Sequence, residues 1–164
     1  YFECIDIQSF LERTPDNSVE AYAMIHVLDH FTPYHALWIL QECKRTLIPG
    51  GVLRIEVEDL RKIIEAWENG SLSQFNDQQP AVYANECNDL KVGFLIFGNL
   101  ADSTSDMDYT GHKMIYTELS LTRICYLAGF ESIVTASETK TLIKGWQPEW
   151  NTQPDHSFFL ECVK

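Results

Sequence analysis

The sequence predicts an open α/β sheet, mostly parallel, with an antiparallel last strand. Three observations predict it. Apolar, β-type runs alternate with stretches of helical apolar spacing. A Pro49-Gly50-Gly51 break returns the chain from a helix into a strand. The last two strand-like runs, 132–137 and 157–163, are joined by a segment rich in Trp, Pro and Asn that fits no crossover helix, so that pair should be antiparallel.

The elements follow in order. Residues 1–7 (YFECIDI) form a short strand, and Thr14-Pro15-Asp16-Asn17-Ser18 a turn dense in turn formers. Residues 19–25 (VEAYAMI) read as a strand buried on both faces. Thr32 caps the next helix, Pro33 fits its first position, and Ala36, Leu40, Cys43 and Leu47 recur at helical spacing. Lys44 and Arg45 lie in its last turn, at the negative end of the dipole. Val52, Leu53, Ile55 and Val57 make the next strand. Asp59 caps a second helix with Leu60, Ile63, Ile64 and Trp67 on one face and Gly70 past its end. Residues 71–112 interrupt the alternation as an insertion, with a helix around 80–97 started by Pro80 and ended by Gly98. From Thr117 a helix lines up Leu121, Ile124, Cys125 and Ala128, and Gly129-Phe130 closes it. The whole, 1–164, is one domain with an inserted segment at about 71–112.

Composition bounds the function. The chain has 164 residues, 12 basic and 24 acidic, for a formal charge of −12. Its pI of about 4.7 leaves no basic stripe for a nucleic-acid backbone. No apolar run approaches the roughly 18 residues of a membrane span. Five cysteines, at 4, 43, 87, 125 and 162, include no C-x-x-C pair, which fits reduced thiols in a cytoplasmic protein. No signal peptide is visible. The first residue is Tyr1 rather than Met, so further sequence is expected upstream.

Two stretches carry more than fold. One is Ile25-His26-Val27-Leu28-Asp29-His30-Phe31, followed by a helix and Leu47-Ile48-Pro49-Gly50-Gly51-Val52-Leu53. The other is His112-Lys113-Met114-Ile115-Tyr116-Thr117-Glu118-Leu119-Ser120-Leu121, ending in Leu127-Ala128-Gly129-Phe130. Together they resemble the C-terminal half of class I S-adenosylmethionine-dependent methyltransferases of the small-molecule type, over most of residues 1–60 and 110–164. The resemblance implies a Rossmann-like sheet and methyl transfer from S-adenosylmethionine to a small-molecule acceptor. The chain departs from that family in one respect: it contains no G-x-G turn, the loop that meets the amino-acid part of the cofactor. By this alignment it starts near the family's third strand, without the first two strands and the glycine-rich loop. Cofactor binding by this chain alone is therefore expected to be weak or absent.

The resemblance also implies site residues. Asp6 would accept a hydrogen bond from the adenine amino group, and the backbone N–H of Ile7 would meet the ring; a surface Asp ending a strand is the plain alternative. Ile25 and His26, at the end of a strand, would face cofactor and substrate, since ligands bind beyond strand carboxyl ends in such sheets; a structural histidine is the alternative for His26. His112, beside the insertion, would contact substrate or accept a proton from a hydroxyl or amine nucleophile, against an exposed loop histidine. Asp29 and His30 are expected to pack or cap the next helix. Little covalent help is needed from protein, because methyl transfer rests on alignment and exclusion of water.

Two other readings stand beside this one. His26-Val27-Leu28-Asp29-His30 approximates the inverted zinc-protease motif H-x-x-E-H, with His35 as a third nitrogen, so a zinc hydrolase using His26 and His30 is an alternative. Against it, Asp is shorter than Glu, and Thr32-Pro33 starts the helix after His30; no metal ligands are assigned. The chain could also be a non-catalytic remnant or a partner-completed subunit, its sheet edge covered by a homodimer partner or by a missing N-terminal segment. Trp146, Pro148 and Trp150 are expected to pin a long connection onto the domain.

Overall fold

A computed structural model describes residues 6–72, 88–97, 111–150 and 155–164. Four strands, β1 (Val19–Ile25), β2 (Leu47–Glu58), β3 (Ser132–Thr135) and β4 (Ser157–Val163), form one sheet in the order β1-β2-β4-β3. β1 and β2 pair in parallel, while β4 lies between β2 and β3 and runs against both. Three strands thus share one direction and the last opposes them, as the sequence predicts. The helices are α1 (Ile7–Arg13), α2 (Pro33–Thr46), α3 (Leu60–Glu68), α4 (Asn88–Phe97) and α5 (Glu118–Leu127).

The core sits between one sheet face and the helices α2 and α5. Ala36, Ile39, Leu40 and Cys43 of α2 and Leu121 and Cys125 of α5 are buried against Leu53, Ile55, Val57, Leu160 and Cys162. These strand residues alternate, as a two-residue period requires. A second, smaller cluster joins Ile63 and Ala66 of α3 to Leu95 of α4 and to Leu72. Ile64 and Trp67, expected on that inner face, are substantially exposed, because α3 meets α4 through the neighbouring stripe.

Helix ends are built locally. Thr117 and Ser120 form a reciprocal capping box at the start of α5. Gly129 ends it at φ +96°, and Phe130 donates its N–H to the Cys125 carbonyl and is fully buried. A Cβ on Gly129 would lie 2.8 Å from Lys44 Nζ, which donates to the Gly129 carbonyl and so ties the end of α2 to the end of α5. Thr32 occupies the N-cap of α2, but its side chain makes no capping bond; Pro33 alone marks the start.

Several boundaries differ from expectation. Residues 1–5 lie outside the described residues, and Asp6 and Ile7 are not strand. Asp6 is the N-cap of α1, its carboxylate accepting the Ser9 N–H, and the helical spacing of Ile7 and Leu11 packs them into the core. β1 is not buried on both faces. Glu20 and Ala23 are exposed and only Met24 is buried, because among the described strands β1 has a neighbour on one side alone. β2 starts at Leu47, with a break in register: Val19 pairs with Leu47, then Ala21 with Val52. The intervening Pro-Gly-Gly turn bonds to the chain end through Gly50 N–H to the Lys164 carbonyl and Lys164 N–H to the Gly51 carbonyl. The expected helix over 80–97 is described from Asn88; Pro80 and Gly98 lie outside the described residues. No helix among the described residues is long and apolar enough to cross a membrane.

Candidate functional site

The second face of β2 is charged and yet buried. Arg54, Glu56 and Glu58 alternate with the core residues Leu53, Ile55 and Val57, and all three are nearly inaccessible. Burying unpaired charge is expensive, so each must find a partner. Arg54 pairs with Glu161 on the adjacent β4 (Nη1 to Oε1, 3.0 Å), donates to the Ser137 carbonyl, and lies over Trp146 (4.8 Å) and Phe159 (4.9 Å). Trp146 in this way pins the 136–156 connection to the sheet.

The two glutamates are nearer the carboxyl end of β2, and histidines gather on them. His26 leaves β1 with φ +50°, a left-handed conformation that costs a non-glycine residue roughly 1–2 kcal/mol. Its N–H donates to the Glu56 carbonyl (2.9 Å), which continues the β1–β2 ladder one residue past the strand. Its ring nitrogen Nε2 lies 3.4 Å from Glu56 Oε1 and 3.1 Å from Ser157 Oγ. His112 is buried between two carboxylates: Nε2 is 3.0 Å from Asp29 Oδ2, and Nδ1 is 2.9 Å from Glu58 Oε2. His156 Nε2 is 3.9 Å from Glu58 Oε1. His30 stacks edge-on to His112, with ring centres 5.0 Å apart.

The backbone holds this cluster in place. Leu28–His30 is a single 3-10 turn that follows β1. The Asp29 carbonyl accepts the N–H groups of Lys113 (2.8 Å) and Met114 (3.1 Å), and His112 N–H donates to the Phe97 carbonyl (2.8 Å). Ser157 and Glu58 are paired in the β2–β4 register, which brings His156 alongside.

Electrostatics separates the histidines. Burial opposes charging of His112, but Asp29 and Glu58 outweigh it and lift its pKa from 6.5 to about 10. Burial also opposes ionisation of Asp29, yet His112, with His30 and His26 nearby, holds its pKa below the usual value. His156 is pushed the other way: desolvation prevails over the attraction of Glu58, and its pKa is lowered. Tyr116, fully buried, is raised by desolvation and by the Asp29 charge. At neutral pH the cluster therefore holds a charged His112 and a neutral His156.

Of the residues singled out from sequence, the structure brings His26 and His112 to the same end of the sheet through Glu56 and Glu58. Ile25 lies beside Glu56 in register. Asp6 and Ile7 sit apart at the start of α1, and among the described residues no hydrogen bond or ion pair joins Asp6 to the cluster. Asp29, expected to pack or cap, instead partners His112. Glu56, Glu58, His156 and Ser157 were missed. The charged residues at 54, 56 and 58 inside an apolar strand were the available signal.

No family model and no curated protein matches the chain. Its fold is similar to solved structures. One is a SAM dependent methyltransferase from Archaeoglobus fulgidus (TM-score 0.53, 12% identity, covering 98% of this chain and 66% of that one). A second is the S-adenosylmethionine-dependent methyltransferase SibL in its apo form (0.52, 15%, 99% and 35%). A third is PigF with SAH (0.51, 14%, 97% and 34%). At these identities the likeness concerns the architecture alone: the four-stranded sheet and its helices are folded as in part of these S-adenosylmethionine-dependent methyltransferase structures. It spans 66% of the A. fulgidus protein and about a third of the other two.

The Gly50-Gly51 turn offers no cradle, since a Cβ at Gly51 would meet the Ile48 carbonyl at 2.9 Å and the Glu20 carbonyl at 3.0 Å; its glycine serves chain packing. Asp6 and Ile7 stand at the capped start of α1, and Ile25 and His26 at the end of β1.

Proposed function

We propose that this chain forms the acceptor side of an S-adenosylmethionine-dependent methyltransferase acting on a small molecule, and that it binds the cofactor weakly by itself. The observation that carries this reading is the convergence of His26, Asp29, Glu58, His112 and His156 at the carboxyl ends of β1 and β2, where open α/β sheets bind ligands. The cofactor supplies a methyl group on a sulfonium. The chain's own residues orient the acceptor and handle its proton. His112, held between Asp29 and Glu58, fixes those two carboxylates at the strand ends. His156, kept neutral by burial, is the imidazole suited to accept the acceptor's proton. Asp6, Ile7, Ile25 and His26 line the adenosine side.

The test is chemical-shift mapping with S-adenosylhomocysteine at millimolar concentration. Shifts centred on Asp6, Ile7, Ile25 and His26 are expected. Their absence, or shifts elsewhere, would overturn the reading, and calorimetric micromolar affinity for the chain alone would overturn the weak-binding part.

A second reading, a non-catalytic subunit completed by a partner, is favoured by β1, whose outer edge is unpaired among the described strands and whose Ala21, Tyr22 and Ile25 are only half-buried. On that reading a second copy covers the edge. A monomer by sedimentation that also shows the adenosine-side shifts excludes it.

A further inference from the structure

We propose that Asp29, His30 and His112 bind one first-row divalent metal ion of borderline hardness, with zinc as the reference ion. This inference stands apart from the methyl-transfer reading and uses a ligand set different from the His26/His30 pair of the H-x-x-E-H alternative. One ligand atom from each of the three residues can be chosen so that all lie within 4.8 Å of one another. His112 Nε2 and Asp29 Oδ2 are 3.0 Å apart. Ligand atoms on a tetrahedral zinc, with bonds of about 2.0–2.2 Å, sit about 3.3–3.5 Å apart, so a small outward shift admits the ion. Two imidazoles and one carboxylate suit zinc, cobalt or iron better than magnesium or calcium.

Two further observations point to a cation at this place. Asp29 is 1% exposed, and its Oδ1 has no hydrogen-bond partner among the described residues. A buried carboxylate oxygen without a donor is costly, and a bound cation removes that cost. The second concerns the far side of the His112 ring. With Nε2 facing Asp29, Nδ1 lies 2.9 Å from Glu58 Oε2. An ion that displaces the Nε2 proton completes the carboxylate–histidine–metal arrangement, in which an outer carboxylate holds the Nδ1 proton and aims the other nitrogen at the ion. The site is also held before any ion arrives, since Lys113 and Met114 N–H clasp the Asp29 carbonyl and the His112 N–H is bound to Phe97. Three protein ligands leave at least one position open at the strand ends, where an oxygen or sulfur of a small molecule can coordinate.

The full chain, freed of metal with a chelator and desalted, is titrated with Zn²⁺ against a chromophoric competitor and with Co²⁺ by visible absorption. One ion per chain is expected, with a Kd below about 1 µM and the intense visible bands of four-coordinate cobalt. His30→Ala and Asp29→Asn each weaken binding by about 100-fold or more, Glu58→Gln by about 10–100-fold, and His35→Ala leaves it unchanged. His30 is half-buried, so its variant decides the matter should Asp29→Asn fail to fold. Zinc affinity in His30→Ala equal to wild type, or wild-type binding weaker than about 0.1 mM, overturns the proposal.

Discussion

Replacing Arg54 by Met tests the buried charge on the second sheet face. Arg54 is fully buried and Glu161 is 1% exposed. Glu161 accepts from the Arg54 guanidinium, the Thr141 hydroxyl and the Leu142 N–H. Removing Arg54 leaves Glu161 charged, buried and without its counter-ion, which costs about 3–5 kcal/mol. The Ser137 carbonyl loses its donor, about 1 kcal/mol, and the stacking on Trp146 and Phe159 adds about 1 more. The working total, about 5–7 kcal/mol, is a large part of the roughly 5–15 kcal/mol that a domain has. Glu161→Gln keeps an acceptor for Thr141 and Leu142 but leaves Arg54 uncompensated, at a similar cost. In the double variant the broken pair is counted once, so the cycle should show a coupling of about 2–4 kcal/mol. Urea unfolding followed by tryptophan fluorescence reads it, with Trp146 reporting from beside the pair. Additive single effects, within about 0.5 kcal/mol, would refute the claim that the two charges hold each other in the interior.

Two further outcomes follow from the same structure. Because the folded pKa of His112 is raised from 6.5 to about 10, its contribution is complete below about pH 6.5 and is lost as pH rises through about 10. With chelator present, the stability difference between wild type and His112→Gln should be at most about 5 kcal/mol at pH 6 and shrink towards pH 10; a difference flat across that range contradicts the assignment. Gly129→Ala puts a Cβ at φ +96° and 2.8 Å from Lys44 Nζ, and should destabilise by about 1–2 kcal/mol in thermal unfolding, more than Gly70→Ala, where φ is +69° but the space is open.

Much of the fold was legible because its signals are local. The Pro33 start of α2, the Thr117 box of α5 and the Gly129-Phe130 stop lie within a few residues of the elements they bound. Antiparallel β4 was legible too, since what joins it to β3 fits no crossover helix. The start of α1 was not, because YFECIDI carries a β-type composition and only the cap at Asp6 marks the change. Of the candidate site, His26 and His112 could be found from their positions in two motifs. Glu58 left a local signal, a charge inside an apolar strand, but His156 and Ser157 left none, because their meeting with it depends on the β2–β4 register, a non-local pairing that no short window contains. Asp29 was assigned to the neighbouring helix for the same reason: its partner, His112, comes from beyond the insertion.

The bond between the His112 N–H and the Phe97 carbonyl ties the last residue of α4 to the residue that carries the cluster's central imidazole. It is made by main-chain groups, which every side chain except proline's at position 112 leaves in place. The end of α4 and the imidazole are therefore joined by a link that most substitutions at either position would preserve, so a variant such as His112→Gln changes the ring and keeps the tether.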